Sequence, residues 1–133
     1  MEESLVDLLK AHTALTSLVG SNPARIYWMR APQGIARPYL VMQIVSSIPD
    51  VTHGGPSGLI GSRVQIDCYG DTYASTKTTA RAVTGRLSGF RGFRLNTTFD
   101  GIFKDAERDE YEESAAPDKA FRVSMDFLVW HKS

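Results

Sequence analysis

Cysteine and histidine are scarce in this chain, and their scarcity excludes most metal sites. The 133 residues contain one cysteine, Cys68, and three histidines, His12, His53 and His131. A single cysteine forms no internal disulfide, and zinc sites built on four cysteines, or on two cysteines and two histidines, are excluded by count. The histidines lie far apart, and none stands in a paired-ligand spacing such as H-E-x-x-H. We therefore expect no metal and no cofactor.

Long apolar runs, a basic amino terminus and an excess of basic charge are also missing. No segment approaches the ~18 apolar residues of a membrane-spanning helix. The first residues, MEESLVDLLK, carry acids where a signal peptide needs basic residues. We therefore expect that the protein does not associate with a membrane. We expect it to assemble in a cytoplasm. Fifteen Lys and Arg balance fifteen Asp and Glu, so the chain as a whole offers no electrostatic case for wrapping duplex DNA.

Catalytic motifs are absent as well. The stretch RVQIDCYGD places Cys68 between Asp67 and Asp71, and two carboxylates disfavour the thiolate that a nucleophilic cysteine needs. Strand alternation also puts Cys68 on the apolar side, so we interpret it as a core residue, with Asp67 on the other side and Asp71 as a helix cap. GPSGL lacks the last glycine of a nucleophile elbow, and GRLSGFRG lacks the G-K-[ST] ending of a phosphate loop. We expect no enzyme.

The amino-terminal half shows one helix, two strands and a long connection. Leucines and valines at spacings of three and four predict a helix of about four turns that ends at Gly20. RIYWM and YLVMQIVSS are rich in β-branched and apolar residues and predict strands. Residues 49–61, PDVTHGGPSGLIG, carry four glycines and two prolines, which predicts a long protruding loop or a loosely paired hairpin tip.

The carboxyl-terminal half continues with a helix and several strands. RVQIDCY alternates with period two, as a strand with one buried face does. Gly70 ends it, and Asp71 or Thr72 can cap a helix through YASTKTTARAVTGRL. FRGFRL predicts a short strand or a turn, and FDGIFKDAERDEYEES and FRVSMDFLVWH predict further strands. Hairpin-length connections favour an α+β fold, a mostly antiparallel sheet with two helices on one face, as a single domain over residues 1–133.

Charge is distributed unevenly along the carboxyl-terminal half. Residues 77–94 contain five bases and no acid, whereas residues 100–118 contain eight acids and two bases. Three interpretations stay open: two solvated faces, a nucleic-acid site formed by the basic run with Phe90 and Phe93, or a contact between unlike patches of neighbouring copies that closes into a ring. Neutral net charge favours the ring over the nucleic-acid site.

Several segments, in order, resemble a known family. LVDLLKAHTALTSLVG, RIYWMRAPQGIARPYLVMQIVSS, GPSGLIGSRVQIDCYGDTYASTKTTARAV, ERDEYEES and RVSMDFLVWHK are similar to the tail-completion, or tail-terminator, proteins of long-tailed bacteriophages and gene transfer agents. The resemblance spans essentially the whole chain, and its most specific parts are RVQIDCYGDTY and DFLVWH. It implies a non-catalytic α+β virion protein, assembled in the host cytoplasm, located in the neck region of the tail.

The resemblance also implies partners. Such proteins form a ring, usually of six copies, that stops polymerisation of the tail-tube protein and offers a surface to head-completion or stopper proteins. DNA passes through the lumen of the ring without specific binding. A lumen lined with carboxylates would repel the passing DNA.

Three residue-level hypotheses follow. The subunit interface is assigned to the basic run facing the acidic run of the next copy: Lys77, Arg81, Arg86, Glu110 and Glu112. The lumen is assigned to acids that strict alternation puts on one side of a strand: Asp105, Glu107 and Asp109. The contact with a neighbouring ring is assigned to the loop, which is expected to become ordered on docking between Thr52 and Gly58: Thr52, His53, Ser57 and Leu59.

Two alternatives remain at this stage. A small single-stranded nucleic-acid-binding protein would use FRGFR as a stacking and phosphate-contact patch, which requires exposed Phe90 and Phe93. We expect at least one of these rings in the core. An enzyme using Cys68 would require an accessible thiol, which the strand pattern argues against.

Overall fold

The strands within the described residues form one six-stranded sheet. The computed structural model describes residues 1–21, 23–52, 55–113 and 119–132, and for residues 50–52, 55–57, 112, 113, 119 and 120 it describes the backbone alone. The elements are α1 (Glu2–Lys10), α2 (Thr13–Val19), β1 (Ile26–Trp28), β2 (Tyr39–Thr52), β3 (Gly55–Gly70), α3 (Tyr73–Leu87), β4 (Gly92–Arg94), β5 (Thr97–Glu113) and β6 (Lys119–Lys132). The strand order is β1-β2-β3-β6-β5-β4.

The predicted α+β class is confirmed, but the sheet is mixed. All neighbouring strands pair antiparallel except β1, which runs parallel to β2 with Ile26 opposite Leu40. The loop between β1 and β2 spans ten residues, 29–38. It returns the chain to the end of the sheet at which β1 began, so β2 runs in the same direction as β1. The composition of RIYWM indicates a strand but carries no information on its direction.

The predicted single amino-terminal helix is wrong, because it divides in two at His12. This residue has an extended backbone (φ −94°, ψ 106°), and its carbonyl accepts hydrogen bonds from the amides of Leu15 and Thr16 at 3.0 Å. Both helices bury the same apolar stripe, so the spacing of the leucines continues across the break. The described residues therefore contain three helices rather than two.

The core lies between these helices and one face of the sheet, which we call the helix-side face. Alternate residues of the central strands point into it and are fully buried, as the sequence predicts for β3: Val64, Ile66 and Cys68. In β6 the same positions hold Val123, Met125, Phe127 and Val129. The opposite side of the sheet is called the outer face.

Glycines explain two of the most distinctive sequence segments. In RVQIDCYGDTY, a Cβ on Gly70 would lie 2.3 Å from Oγ1 of Thr76, so the first turn of α3 packs against bare backbone. In DFLVWH, the Trp130 ring lies across Gly61, where a Cβ would come within 2.7 Å of it. Both segments are fixed by close packing at these points.

The junction between β3 and α3 also shows which residue caps the helix. The Thr72 side chain accepts a hydrogen bond from the amide of Ser75 at 3.1 Å, as the sequence allows. Asp71, which we interpreted as the cap, instead accepts a hydrogen bond from Nε of Arg37 at 2.7 Å. The hydroxyl therefore caps the helix, and the carboxylate ties the loop before β2 to the end of β3.

Residues 49–52 and 55–61 of the predicted loop belong to paired strands. Strands β2 and β3 continue to pair through Pro49 with Ile60, Val51 with Pro56 and Thr52 with Gly55. This pairing agrees with the hairpin interpretation rather than with an unpaired loop. Gly and Pro are compatible with this strand because it includes a bulge between Pro49 and Val51.

Candidate functional site

The passage around Cys68 is structural. Its thiol is fully buried, and burial, with a smaller contribution from the Asp67 carboxylate, raises the pKa of the thiol far above its usual range. Asp67 lies on the outer face, where its carboxylate accepts hydrogen bonds from Ser124 Oγ at 2.6 Å and Gln65 Nε2 at 3.0 Å. The interpretation of Cys68 as a core residue is confirmed.

Metal and membrane sites receive no support from the described part of the chain. Within residues 1–21, 23–52, 55–113 and 119–132, no group of three or more His, Cys, Asp or Glu side chains is placed to hold a metal ion. Over the same residues, no helix is long and apolar enough to cross a membrane.

The aromatic pair of FRGFR is divided between core and surface. Phe90 packs against the core and makes an edge contact with Phe99, with ring centroids 5.9 Å apart. Phe93 is 69% exposed. Phe90 is partly buried against the core, so FRGFR does not offer the pair of free rings that a stacking site requires.

A cluster of charges joins α3 to β5 on the helix-side face. Lys77 Nζ lies 2.8 Å from Glu107 Oε2 and 2.7 Å from Asp109 Oδ1, and the Tyr73 hydroxyl donates to Asp109 at 2.7 Å. Hydrogen bonds from Lys104 and then Lys77 lower the pKa of Glu107, and Lys77 and then Tyr73 lower that of Asp109. The same two carboxylates raise the pKa of Lys77. Lys77 of the predicted basic run therefore meets the acidic run within one chain.

The other two basic residues assigned to the subunit interface have different surroundings. Arg86 donates from Nε to the carbonyl oxygen of Leu8 at 2.9 Å, which joins α3 to α1. Arg81 is exposed on α3. Of the three basic side chains, Arg81 is therefore the one most available to a neighbouring molecule.

A second charge network lies on the outer face, and it corrects the strand alternation in β5. Arg63 contacts Asp105 at 2.6 Å and Asp126 at 3.2 Å. A bulge between Lys104 and Ala106 places Asp105 on this face, whereas Glu107 and Asp109 face α3. The prediction that the three acids share one side is wrong, because one extra residue reverses the alternation on either side of the bulge.

The remaining predicted residues lie at the ends of the long strands. Glu110 forms an ion pair with Arg122 across β5 and β6. Glu112 is in register with Ala120, and its side chain lies outside the described residues. In the hairpin, Thr52 pairs with Gly55 and Leu59 is half-buried. His53 and the side chain of Ser57 lie outside the described residues, as do most side chains of the segment expected to become ordered on docking.

The sequence interpretation missed a set of apolar side chains at the two lateral margins of the sheet. At the β1–β2 margin, Met29, Val45 and Ile48 are exposed. At the β4–β5 margin, Phe93, Leu95, Phe103 and Tyr111 are exposed. Of the large apolar side chains that are exposed in the described residues, only Tyr73 lies elsewhere, at the start of α3. Strand order decides which residues reach a margin, and no local pattern in the sequence reveals it.

Comparisons with known proteins give a family match and a shared fold. A family model described as tail completion protein gp17 matches residues 3–132. Among solved structures, a chain of the virion of a native gene transfer agent particle is similar, with a TM-score of 0.77 and 18% identity, over 100% of this chain and 95% of that chain. At that identity the likeness shows a shared fold. No curated protein matches the chain in sequence.

Proposed function

Because the chain belongs to the tail completion protein gp17 family, a family of the virion tail, we propose that it forms a ring at the head-proximal end of the tail tube. In this role it ends polymerisation of the tube protein and presents a surface to the head-completion or stopper protein of the neck. The ring, which we take to have six copies, leaves a lumen through which DNA passes without specific binding.

The observation that carries this proposal is the extent of the family match. It covers residues 3–132, so every helix and strand except the first residue of α1 lies inside it. The fold shared with a chain of a gene transfer agent virion is consistent with it. Buried Cys68 and the lack of a catalytic motif favour a structural role rather than an enzymatic one.

The geometry restricts which carboxylates can line the lumen. Asp105 lies on the outer face and Glu107 and Asp109 on the helix-side face, so a single surface can present only one of these groups. Glu107 and Asp109 are neutralised by Lys77 and Lys104. Asp105 and Asp126 both form ion pairs with Arg63. Arg108 forms a further ion pair with Asp126. Neither face therefore presents a strong block of uncompensated charge among these residues.

The test is the mass and shape of the purified protein with and without its tail-tube protein. Light scattering and negative-stain images are expected to show rings, free or on one end of each tube, and tubes of limited growth when the protein is added during polymerisation. Tubes that grow unchanged, with the protein left as a monomer in solution, would contradict the proposal. A monomer that ignores tubes and shifts on single-stranded DNA would favour the nucleic-acid alternative.

A further inference from the structure

The two lateral margins of the sheet are both apolar but differ in every other respect. The β1–β2 margin presents Met29 and Ile48, which are 69% and 67% exposed, together with Val45. The β4–β5 margin presents Phe93, 69% exposed, and Leu95 next to β4, with Phe103 and then Tyr111 farther along β5. One margin is aliphatic and the other largely aromatic.

The two margins also differ in charge. Residues 25–52, which span β1, β2 and the loop between them, contain three arginines and one acid, Asp50. Arg25 donates to the carbonyl oxygens of Pro38 and Leu18 and Arg37 binds Asp71. Arg30 is exposed, and within the described residues no carboxylate lies within ion-pair distance of it. Strand β5, by contrast, contains seven acids and two bases.

These two surfaces lie on opposite sides of one molecule. The strand order places β1 and β2 at one margin and β5 and β4 at the other. If two β4–β5 margins met, acidic strands would face each other, and if two β1–β2 margins met, arginines would face each other. A contact between the two different margins would bring Arg30 towards carboxylates. Contact between unlike surfaces of identical copies is heterologous, and it generates a ring or an open filament.

We propose that the β1–β2 margin of one copy docks against the β4–β5 margin of the next copy. This inference rests on the proposed ring and identifies the surfaces that build it. It differs from the contact between α3 and β5 that the sequence suggested, because Lys77 and two of the acids are already paired within the chain.

The contact is made through side chains rather than by extending the sheet. Strand β1 covers only Leu40–Met42 of β2, and β4 covers only Thr97–Phe99 of β5, so both margins have backbone beyond these short strands. Bulges interrupt each of the two long strands, and β2 also contains Pro49. Proline and bulges are devices that prevent strand pairing at an edge, whereas the apolar side chains around them stay available.

The experiment uses one variant for each margin. Ile48→Asp places a charge in the aliphatic margin and Phe93→Asp places one in the aromatic margin, at side chains exposed enough that the fold should not change. Ala74→Asp, at an exposed position in the first turn of α3, is the matched control. Circular dichroism and thermal melting verify the fold of each variant, and sedimentation velocity over a range of concentrations measures assembly.

The wild type and the control are expected to assemble, and each margin variant is expected to lose at least about tenfold in association constant, as truncation of a central interface residue does. Mixing the two margin variants is the decisive arm. Each retains the margin that the other lacks, so one sound contact forms and the mixture stops at a dimer.

The outcomes separate this inference from the proposed function. A wild type that assembles while both margin variants assemble equally well overturns the margin contact and leaves the ring proposal standing. Margin variants that stay monomeric when mixed contradict a heterologous contact between these two margins. A wild type that stays monomeric both alone and with tubes overturns the ring and the contact together.

Discussion

Strands β3 and β5 have similar lengths and lie on either side of β6, yet their side chains follow different rules. In β3, Val64, Ile66 and Cys68 alternate strictly into the core and are fully buried. In β5, the alternation reverses at a bulge between Lys104 and Ala106. Strand β3 is hydrogen-bonded on both sides, so two neighbouring strands fix its register. Beyond Phe99, β5 pairs with β6 alone.

The charges follow the same division. Ion pairs near β5 connect it to α3 through Lys77 and to β3 through Arg63. Both connections are made by long, flexible cations that reach over the bulge from opposite faces. The centre of the sheet is therefore stabilised by apolar packing. The β5 margin packs on one side only and is also stabilised by ion pairs, so this margin can present side chains outward.

The largest expected difference between the centre and the margin of the sheet is the effect of removing one phenylalanine from each. Phe127 in β6 is fully buried and Phe103 in β5 is 52% exposed. Phe127→Ala is expected to lower the free energy of unfolding by about 3–5 kcal/mol, because it leaves a cavity that the packed core cannot fill. Phe103→Ala is expected to cost less than about 1 kcal/mol. Urea denaturation followed by circular dichroism measures both, and equal losses would contradict the division between centre and margin.

Substitutions at two glycines are expected to change the stability by an intermediate amount and in opposite directions. A Cβ on Gly70, at the end of β3, would lie 2.3 Å from Thr76 Oγ1 and 3.2 Å from the Thr76 Cα. Gly70→Ala is therefore expected to destabilise the protein by about 1–3 kcal/mol through overpacking. Gly85, inside α3, has open space within 4 Å of the position that a Cβ would take, so Gly85→Ala is expected to stabilise by about 0.5–1 kcal/mol. Changes of the same sign in thermal melts would be evidence against this account of the β3–α3 junction.

The same contrast explains how much of the molecule the sequence predicts. The buried alternation of β3 and β6 and the start of α3 at Thr72 were predictable, because apolar period and capping chemistry act locally. The break at His12 was not, because the spacing of the leucines continues across it. The parallel direction of β1 and the bulge in β5 were not, because both depend on pairing with another strand. In FKDAERDEY no run of apolar residues marks which residue is the extra one.

The candidate site shows the same limit. The uneven charge of residues 77–118 is visible in the sequence, but its partners are not. Lys77 and Glu107 meet within the chain, which alternation and spacing do not reveal. Met29 and Phe93 become margin residues only through the order of the strands. The sequence predicts the family and the class of partner, and the fold is needed to locate the surfaces.

A smaller effect is expected from pH, at the end of the central strands. His131 is 5% exposed, and its Nε2 lies 2.9 Å from Ser62 Oγ, which in turn lies 2.9 Å from Ser47 Oγ. Its Nδ1 is buried, and no hydrogen-bond partner for it lies within the described part of the chain. Burial, with a smaller contribution from the amino-terminal ammonium group, lowers the pKa of His131, while Glu2 opposes the shift.

The sign of the pH effect follows from that shift. The unfolded chain binds a proton at His131 more readily than the folded chain does. The contribution of His131 to the stability of the fold is therefore complete above its unfolded pKa of about 6.5 and is lost as the pH falls below that value. The wild type is expected to lose more stability than His131→Gln between pH 7.5 and 5.5, because glutamine does not titrate and can still hydrogen-bond to Ser62. Parallel melting curves for the two proteins across this range would show that His131 contributes nothing to pH sensitivity.

The smallest expected effect concerns the bulge itself. Asp105→Asn removes the carboxylate that Arg63 holds at 2.6 Å on the outer face, but Arg63 keeps Asp126 at 3.2 Å. Exposed ion pairs contribute little and are screened by salt. The melting temperature is therefore expected to fall slightly at low ionic strength and to match the wild type in 1 M salt. Asp100→Asn, which removes an acid at the other bulge of β5, is the control. A loss that persists in high salt would mean that Asp105 fixes the register of β5 through more than charge, and the margin would then be specified as firmly as the centre.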